Sequence, residues 1–204
     1  MNKLEDWFCA TSFWRKVTQQ HLLPRMLGGG DLGDSVLELG AGPGAATPAL
    51  LRKFSRVTSL EFSAVFAAQV ARGSRRDDSS ARRAAAVVQG DATQMPFADG
   101  SFSCAVAILM LHHLRSAELQ DRALAEVFRV LRPGGSFRAF EIHDGWLQQL
   151  LHTRSTFVPF AASAASARLN AAGLARASVT FVRGGFLLSA QRIDRVASPA
   201  GHRT

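Results

Sequence analysis

Short apolar runs alternate along the chain with segments whose apolar positions recur at helical spacing, and the alternation predicts an α/β domain built on a parallel sheet. From residue 36 an apolar strand ends in the acid Glu38, and residues 46–54, rich in good helix formers, read as the helix that follows. Residues 56–61 are a β-branched and apolar run ending in the acid Glu61; residues 85–92 give a third run, with Asp91 near its end. A fourth apolar run includes Cys104. Residues 166–174 read as a helix closed by Gly173. Residues 177–192 then form two strands joined at Gly184 and Gly185, a hairpin that makes the last strand antiparallel. Ahead of the first strand, residues 7–14 place Trp7, Phe8, Phe13 and Trp14 on an amphipathic helix that either roofs a pocket or packs on the sheet. The expected organisation is a helical lid over residues 1–33, a seven-stranded, doubly wound, mostly parallel α/β domain over residues 34–193, and a disordered polar tail over residues 194–204.

Length changes little in this picture, since 204 residues suit one α/β domain. The longest apolar runs are broken by charge well short of the roughly 20 residues that a membrane span needs. The first dozen residues are acidic and aromatic, without the basic start and apolar stretch of a signal peptide. Two cysteines, Cys9 and Cys104, make neither a disulfide framework nor a metal set, and Cys104 reads as a small apolar core residue. No metal site is expected, and the cytoplasm is the expected compartment.

The net charge of +8 raises nucleic acid as a partner. Its densest cluster, Arg72, Arg75, Arg76, Arg82 and Arg83, lies between the second helix and the third strand. In a right-handed βαβ layout that connection sits at the sheet end opposite a ligand, so solvated surface is the expectation and a specific nucleic-acid partner is not.

The strongest chemical signal is VLELGAGPG at residues 36–44. Gly40, Gly42 and Gly44 let the backbone turn tightly and approach a ligand where a side chain would clash. A helix N-terminus follows, with free N–H groups suited to an anionic group. The spacing is G-x-G-x-G rather than the dinucleotide G-x-G-x-x-G, and Glu38 stands two residues ahead of the first glycine. A carboxylate there crowds a pyrophosphate and suits an ammonium group, which points to the methionine end of S-adenosylmethionine. Glu61, at the tip of the second strand, is placed to take ribose hydroxyls. Phe62 is placed to lie against an adenine, Asp91 to accept its amino group and the Ala92 N–H to meet a ring nitrogen. Asp after Gly is also a common turn residue, so for Asp91 the two roles stand side by side.

Taken in order, VLELGAGPG, SLEFS, QGDATQMPFADGSFS, AVAILMLHHL and LRPGG resemble the motifs of a class I S-adenosylmethionine-dependent methyltransferase of the small-molecule, type 11 kind. The resemblance runs from about residue 36 to residue 192. It implies a Rossmann-like fold and S-adenosylmethionine as cofactor. It also implies Glu38, Gly40, Ala41 and Gly42 around the methionine moiety, Glu61 on the ribose, Phe62, Asp91 and Ala92 at the adenine, and the backbone near Ala107 at the cofactor's amino group. Two positions depart from the pattern. Ser103 stands where the family commonly has Asp, which predicts a weaker structural bond at the start of the fourth strand, and Ala107 where it often has Ser or Asn.

Signals of macromolecular substrates are missing. The fourth strand runs into ILMLHHL instead of an Asp/Asn-Pro-Pro-aromatic motif, and no Pro-Cys dipeptide offers a pyrimidine-attacking thiolate. The expected acceptor is a small organic molecule. Methyl transfer from a sulfonium asks mainly for in-line positioning, with a base only where the acceptor must lose a proton. Candidates beyond the carboxyl ends of the strands are His112 and His113 after the fourth, and Glu141, His143 and Asp144 after the fifth. Each has a structural alternative: the LHHL histidines can pack against the cofactor, and His143 and Asp144 can cap a helix near Gly145. Residues 145–160 offer a second, short piece of roof, so the pocket is expected to be open or small. Two rival functions stay open, a cofactor-binding module without transferase activity and an NAD-type oxidoreductase. The glycine spacing and the terminal hairpin both weigh against the second.

Overall fold

The computed structural model describes residues 9–28, 30–76, 85–143 and 157–193. Thr11 caps the first helix, its hydroxyl accepting the Trp14 N–H at 3.1 Å. That helix runs as α1 (Ser12–Val17), widens into a π-helical turn (Thr18–Leu22) and continues as α2 (Leu23–Leu27). The sheet then begins: β1 (Ser35–Leu39), α3 (Thr47–Lys53), β2 (Arg56–Glu61), α4 (Ala64–Arg76), β3 (Ala86–Gln89) and β4 (Phe102–Ile108). A 3₁₀ turn (Leu111–His113) leads to α5 (Ala117–Val130) and β5 (Leu131–Ile142), followed by α6 (Ala162–Ala171), β6 (Leu174–Val182) and β7 (Gly185–Arg192).

The seven strands lie in the order β3-β2-β1-β4-β5-β7-β6. β7 runs antiparallel to both of its neighbours, and the pairings among β1 to β5 are parallel. The expected doubly wound sheet with its terminal hairpin is what the chain forms. Strand alternation divides the core between the two faces. Leu37, Ala105, Ala107, Phe137 and Ala139 pack with α5 and α6, while Val36, Cys104, Val106 and Phe140 pack with α2 and α3. The apolar stripe of α5 shows why it lies where it does: Gln120, Ala123, Leu124, Val127 and Val130 are its buried positions, spaced for one helical face. Burial pushes the Cys104 thiol up to about 12, which leaves it an inert core residue as expected.

At the start of β4 the Ser103 hydroxyl accepts the Ser35 N–H at 3.0 Å and donates to the Ser35 carbonyl at 2.8 Å. A short side chain thus satisfies both main-chain groups of the first residue of β1. The C-terminal end of α4 feeds the amino end of β3, which places Arg72 at the sheet end away from the glycine turn. Arg82 and Arg83 lie outside the described residues, as do Trp7, Phe8, Asp144 and the tail. Among the described residues, no helix is long and apolar enough to cross a membrane.

Candidate functional site

β1 is buried along its whole length and delivers the chain into the glycine turn at the carboxyl end of the sheet. Gly40 and Gly42 have φ of +64° and +52°, conformations that cost an L side chain roughly 1–2 kcal/mol. Their surroundings differ. A Cβ on Gly40 would stand 2.4 Å from Met110 Cγ, whereas one on Gly42 would meet nothing within 4 Å. The first glycine makes room for the protein's own packing, and the second leaves space beside the turn.

That space belongs to a cavity of about 480 Å³ over the carboxyl ends of β1, β2 and β4. Glu38, Gly40, Ala41, Gly42, Glu61, Phe62, Asp91, Ala92 and His113 all line it, so the structure gathers most of the residues that the sequence singles out. Glu38 is almost wholly buried, and its Oε2 accepts hydroxyl protons from Ser59 at 2.6 Å and Thr47 at 2.8 Å. Burial raises its pKa to about 7, against the lowering effect of the two hydroxyls and with a small push from the charge of Glu61. Among the described residues no hydrogen bond is made to Glu38 Oε1, which leaves one carboxylate oxygen for a ligand.

Glu61 does more than the sequence implies. Its Oε2 accepts the Gly42 N–H at 2.8 Å and its Oε1 the Ser63 N–H at 2.8 Å, so the carboxylate at the tip of β2 holds the glycine turn in shape. Phe62, the next residue, is 75% exposed on the cavity wall, a large apolar side chain with one ring face to offer. Asp91 Oδ1 accepts from both the main-chain N–H and the hydroxyl of Thr93, each at 2.8 Å. Asp91 is thus a turn residue, and it also lines the cavity.

Ala107 does not line the cavity. Period-two alternation turns its methyl group toward α5 and α6, and its main chain pairs with β1 and β5; the flanking Val106 and Ile108 meet the cavity instead. Past β4 the chain changes direction at Leu109, whose φ of +54° is unusual for a branched apolar residue. Bonds from elsewhere hold it there. Leu109 N–H donates to the Phe140 carbonyl at 2.9 Å, and Glu141 Oε1 accepts the N–H groups of Met110 at 3.1 Å and Leu111 at 2.8 Å.

The two neighbouring histidines part company at this turn. His112 is buried and its Nδ1 lies 2.6 Å from Glu141 Oε2, so it belongs to the scaffold under the turn. His113 is half-buried and faces the cavity, its ring centroid 4.2 Å from that of His112. His143 is brought nowhere near: it is exposed and stacks on Phe181 at 5.6 Å, because β5 outruns β4 and its end pairs with the start of β7. The amino-terminal helix contributes Trp14 to the cavity, and Cys9 just ahead of it lines the wall as well. Phe13, 66% exposed, does not join them. Gln19 in the π-helical turn ties that helix to the glycine turn by donating to the Ala45 carbonyl at 2.9 Å. Sequence patterns signalled neither Leu109 nor the clasp of Glu141, since both depend on partners some thirty residues away.

The donor set fits a ligand with a cationic head, vicinal hydroxyls and a flat base: an unengaged carboxylate oxygen, two further acids, an open glycine turn and an exposed aromatic face. Comparison with known proteins agrees. A demethylmenaquinone methyltransferase of Thermobifida fusca is 37% identical over 103 residues, which cover 50% of this chain and 41% of that protein. A ubiquinone/menaquinone biosynthesis C-methyltransferase of Legionella pneumophila is 36% identical over 131 residues, 63% of this chain and 48% of its own length. The chain thus matches somewhat less than half the length of these curated relatives. Among solved structures, a SAM-dependent methyltransferase from Aquifex aeolicus superposes with a TM-score of 0.71 over 95% of this chain and all of its own, at 14% identity, a likeness of fold. A family model described as a methyltransferase domain matches residues 37–139, half of the sequence, and the chain belongs to that family.

Proposed function

We propose that the protein is an S-adenosylmethionine-dependent methyltransferase that acts on a small organic acceptor in the cytoplasm. The observation that carries this reading is the pairing of an open glycine turn with three acids of different origin around one cavity. Glu38 would hold the cofactor's ammonium group through the oxygen it keeps free. Glu61, already fastened to the turn by two N–H groups, has lone pairs left for ribose hydroxyls. Phe62 would cover the adenine, with Asp91 and the Ala92 N–H at its edge. When bound, the cofactor supplies a methyl group on a sulfonium, an electrophile whose leaving group is a neutral thioether.

The remaining work is positional. Met110, held by Gly40 on one side and by Glu141 on the other, fixes the cavity floor, and Trp14 closes it from the amino-terminal helix. The helical lid over residues 1–33 is part of the proposal, with Cys9 and Trp14 as its described residues that line the cavity. Among the described histidines, His113 is the one placed to take a proton from an acceptor. Incubation with methyl-labelled cofactor and a fractionated metabolite extract tests the reading. Label carried into a small extractable compound, in step with S-adenosylhomocysteine release, is the expected result; cofactor that binds and is never turned over in any fraction would leave a binding module without transferase activity.

A further inference from the structure

The charges around the cavity are sorted by origin. Its acids, Glu38, Glu61 and Asp91, come from β1, β2 and the loop after β3, whereas its basic groups, His113 and Arg115, both come from the segment between β4 and α5. Arg115 is exposed, and among the described residues no carboxylate forms an ion pair with it, although arginines elsewhere on the molecule are tied down. Arg168, for example, is held by Asp121 at 2.7 Å and by Gln120 and the Ala117 carbonyl. The same cavity is also lined by the apolar side chains of Met110, Leu114, Leu119 and Trp14. α5 begins directly after the cap at Ser116, whose hydroxyl takes the Leu119 N–H, with Glu118 in its first turn. An unpaired guanidinium in a cavity with apolar side chains is suited to a flat molecule with an anionic edge, since it offers paired N–H donors to a carboxylate and leaves the ring to the side chains.

We propose that the acceptor is a flat, largely apolar molecule bearing a carboxylate, that Arg115 binds this carboxylate, and that the basic segment after β4 is the acceptor half of the cavity. The inference rests on the transferase reading above and adds the acceptor's chemical class. It sets the two halves in opposition: the acidic half rejects an anion, so the carboxylate orients the acceptor with its ring toward the turn.

Calorimetry on the full chain saturated with S-adenosylhomocysteine tests it, with 2-naphthoate and its neutral isostere 2-naphthamide as probes. Naphthoate is expected to bind roughly tenfold or more tightly than the amide, as for a charge-assisted pair. Arg115→Ala is expected to erase that preference while leaving the amide's affinity unchanged, and Arg115→Lys to keep part of it. Arg72→Ala, which removes the same charge from the far side of α4, is expected to keep all of it. Equal affinity for acid and amide, or a preference that survives Arg115→Ala, would overturn the anionic acceptor while the transferase reading stands. Failure of S-adenosylhomocysteine itself to bind, read in the first titration, would overturn both.

Discussion

Burial makes Glu38 hold its proton up to about pH 7, yet the ammonium group proposed to meet it needs the carboxylate form. Affinity for S-adenosylmethionine is therefore expected to climb between about pH 6 and about pH 8, with proton release on binding in that window. Titrations in buffers of different ionisation enthalpy read both, and Glu38→Gln should flatten the pH profile and weaken binding about tenfold or more. Stability follows the opposite slope. The folded state binds this proton more tightly than the unfolded chain, whose ordinary value is 4.5, so the contribution of Glu38 is fully present below about pH 4.5 and lost as pH rises through about 7. The loss is on the order of 3 kcal/mol, and urea midpoints of the parent should drop across that range while those of Glu38→Gln change less. The two glycines give a second contrast. Gly40→Ala drives a Cβ into Met110 and should cost about 2–4 kcal/mol in urea unfolding. Gly42→Ala, with nothing nearby to strike, should cost only the backbone strain of roughly 1–2 kcal/mol yet still weaken cofactor binding. Both glycines and both acids were legible in the sequence, because residue type alone signals positive φ and charge at a strand end. The clamp of Glu61 on Gly42 and the two hydrogen bonds between Ser103 and Ser35 were not, since each joins residues distant in the chain.

Just after β4 the chain departs from local preference at Leu109, and β5 holds its shape. Leu109 adopts a left-handed conformation, Met110 and Leu111 give their N–H groups to Glu141, and His112 closes the arrangement from below. Glu141→Ala would strand three donors in the interior and should destabilise the protein by about 3–5 kcal/mol, seen as a lower urea midpoint. Glu141→Gln, which keeps an acceptor for the two main-chain groups, should cost clearly less; equal losses would show that the turn does not depend on those bonds. The same segment explains what a sequence pattern can deliver at this scale. The strands and the β6–β7 hairpin follow from short apolar runs and a Gly-Gly pair. The π-helical turn at Thr18–Leu22 and the separate fates of His112 and His113 carry no such mark. Adjacent histidines look alike in sequence, and a strained turn decides that one faces the core and the other the cavity. His143, plausible by its place after a strand, is drawn off to Phe181 by the hairpin that caps β5.

For the molecule as a whole, function follows from where the strand order reverses. Chain connections leave β1 toward β2 on one side and β3 toward β4 on the other, which opens a crevice at the carboxyl ends of β1 and β4. The glycine turn, Glu38 and Met110 all stand at that crevice, with acids to one side and basic groups to the other. The fold class and the site's location were legible together because the order of the motifs is the order of the strands. The division of charge between the two halves was not, because it appears only when the segment after β4 is folded back beside β1. Calorimetric titration with S-adenosylmethionine and S-adenosylhomocysteine, with NADH alongside, tests the proposed cofactor most directly. One-to-one binding of both sulfur compounds in the micromolar range is expected, weakened roughly tenfold or more by Glu61→Ala and by Asp91→Ala, with no heat from NADH. A folded protein that binds neither sulfur compound, or that binds NADH in their place, would contradict it.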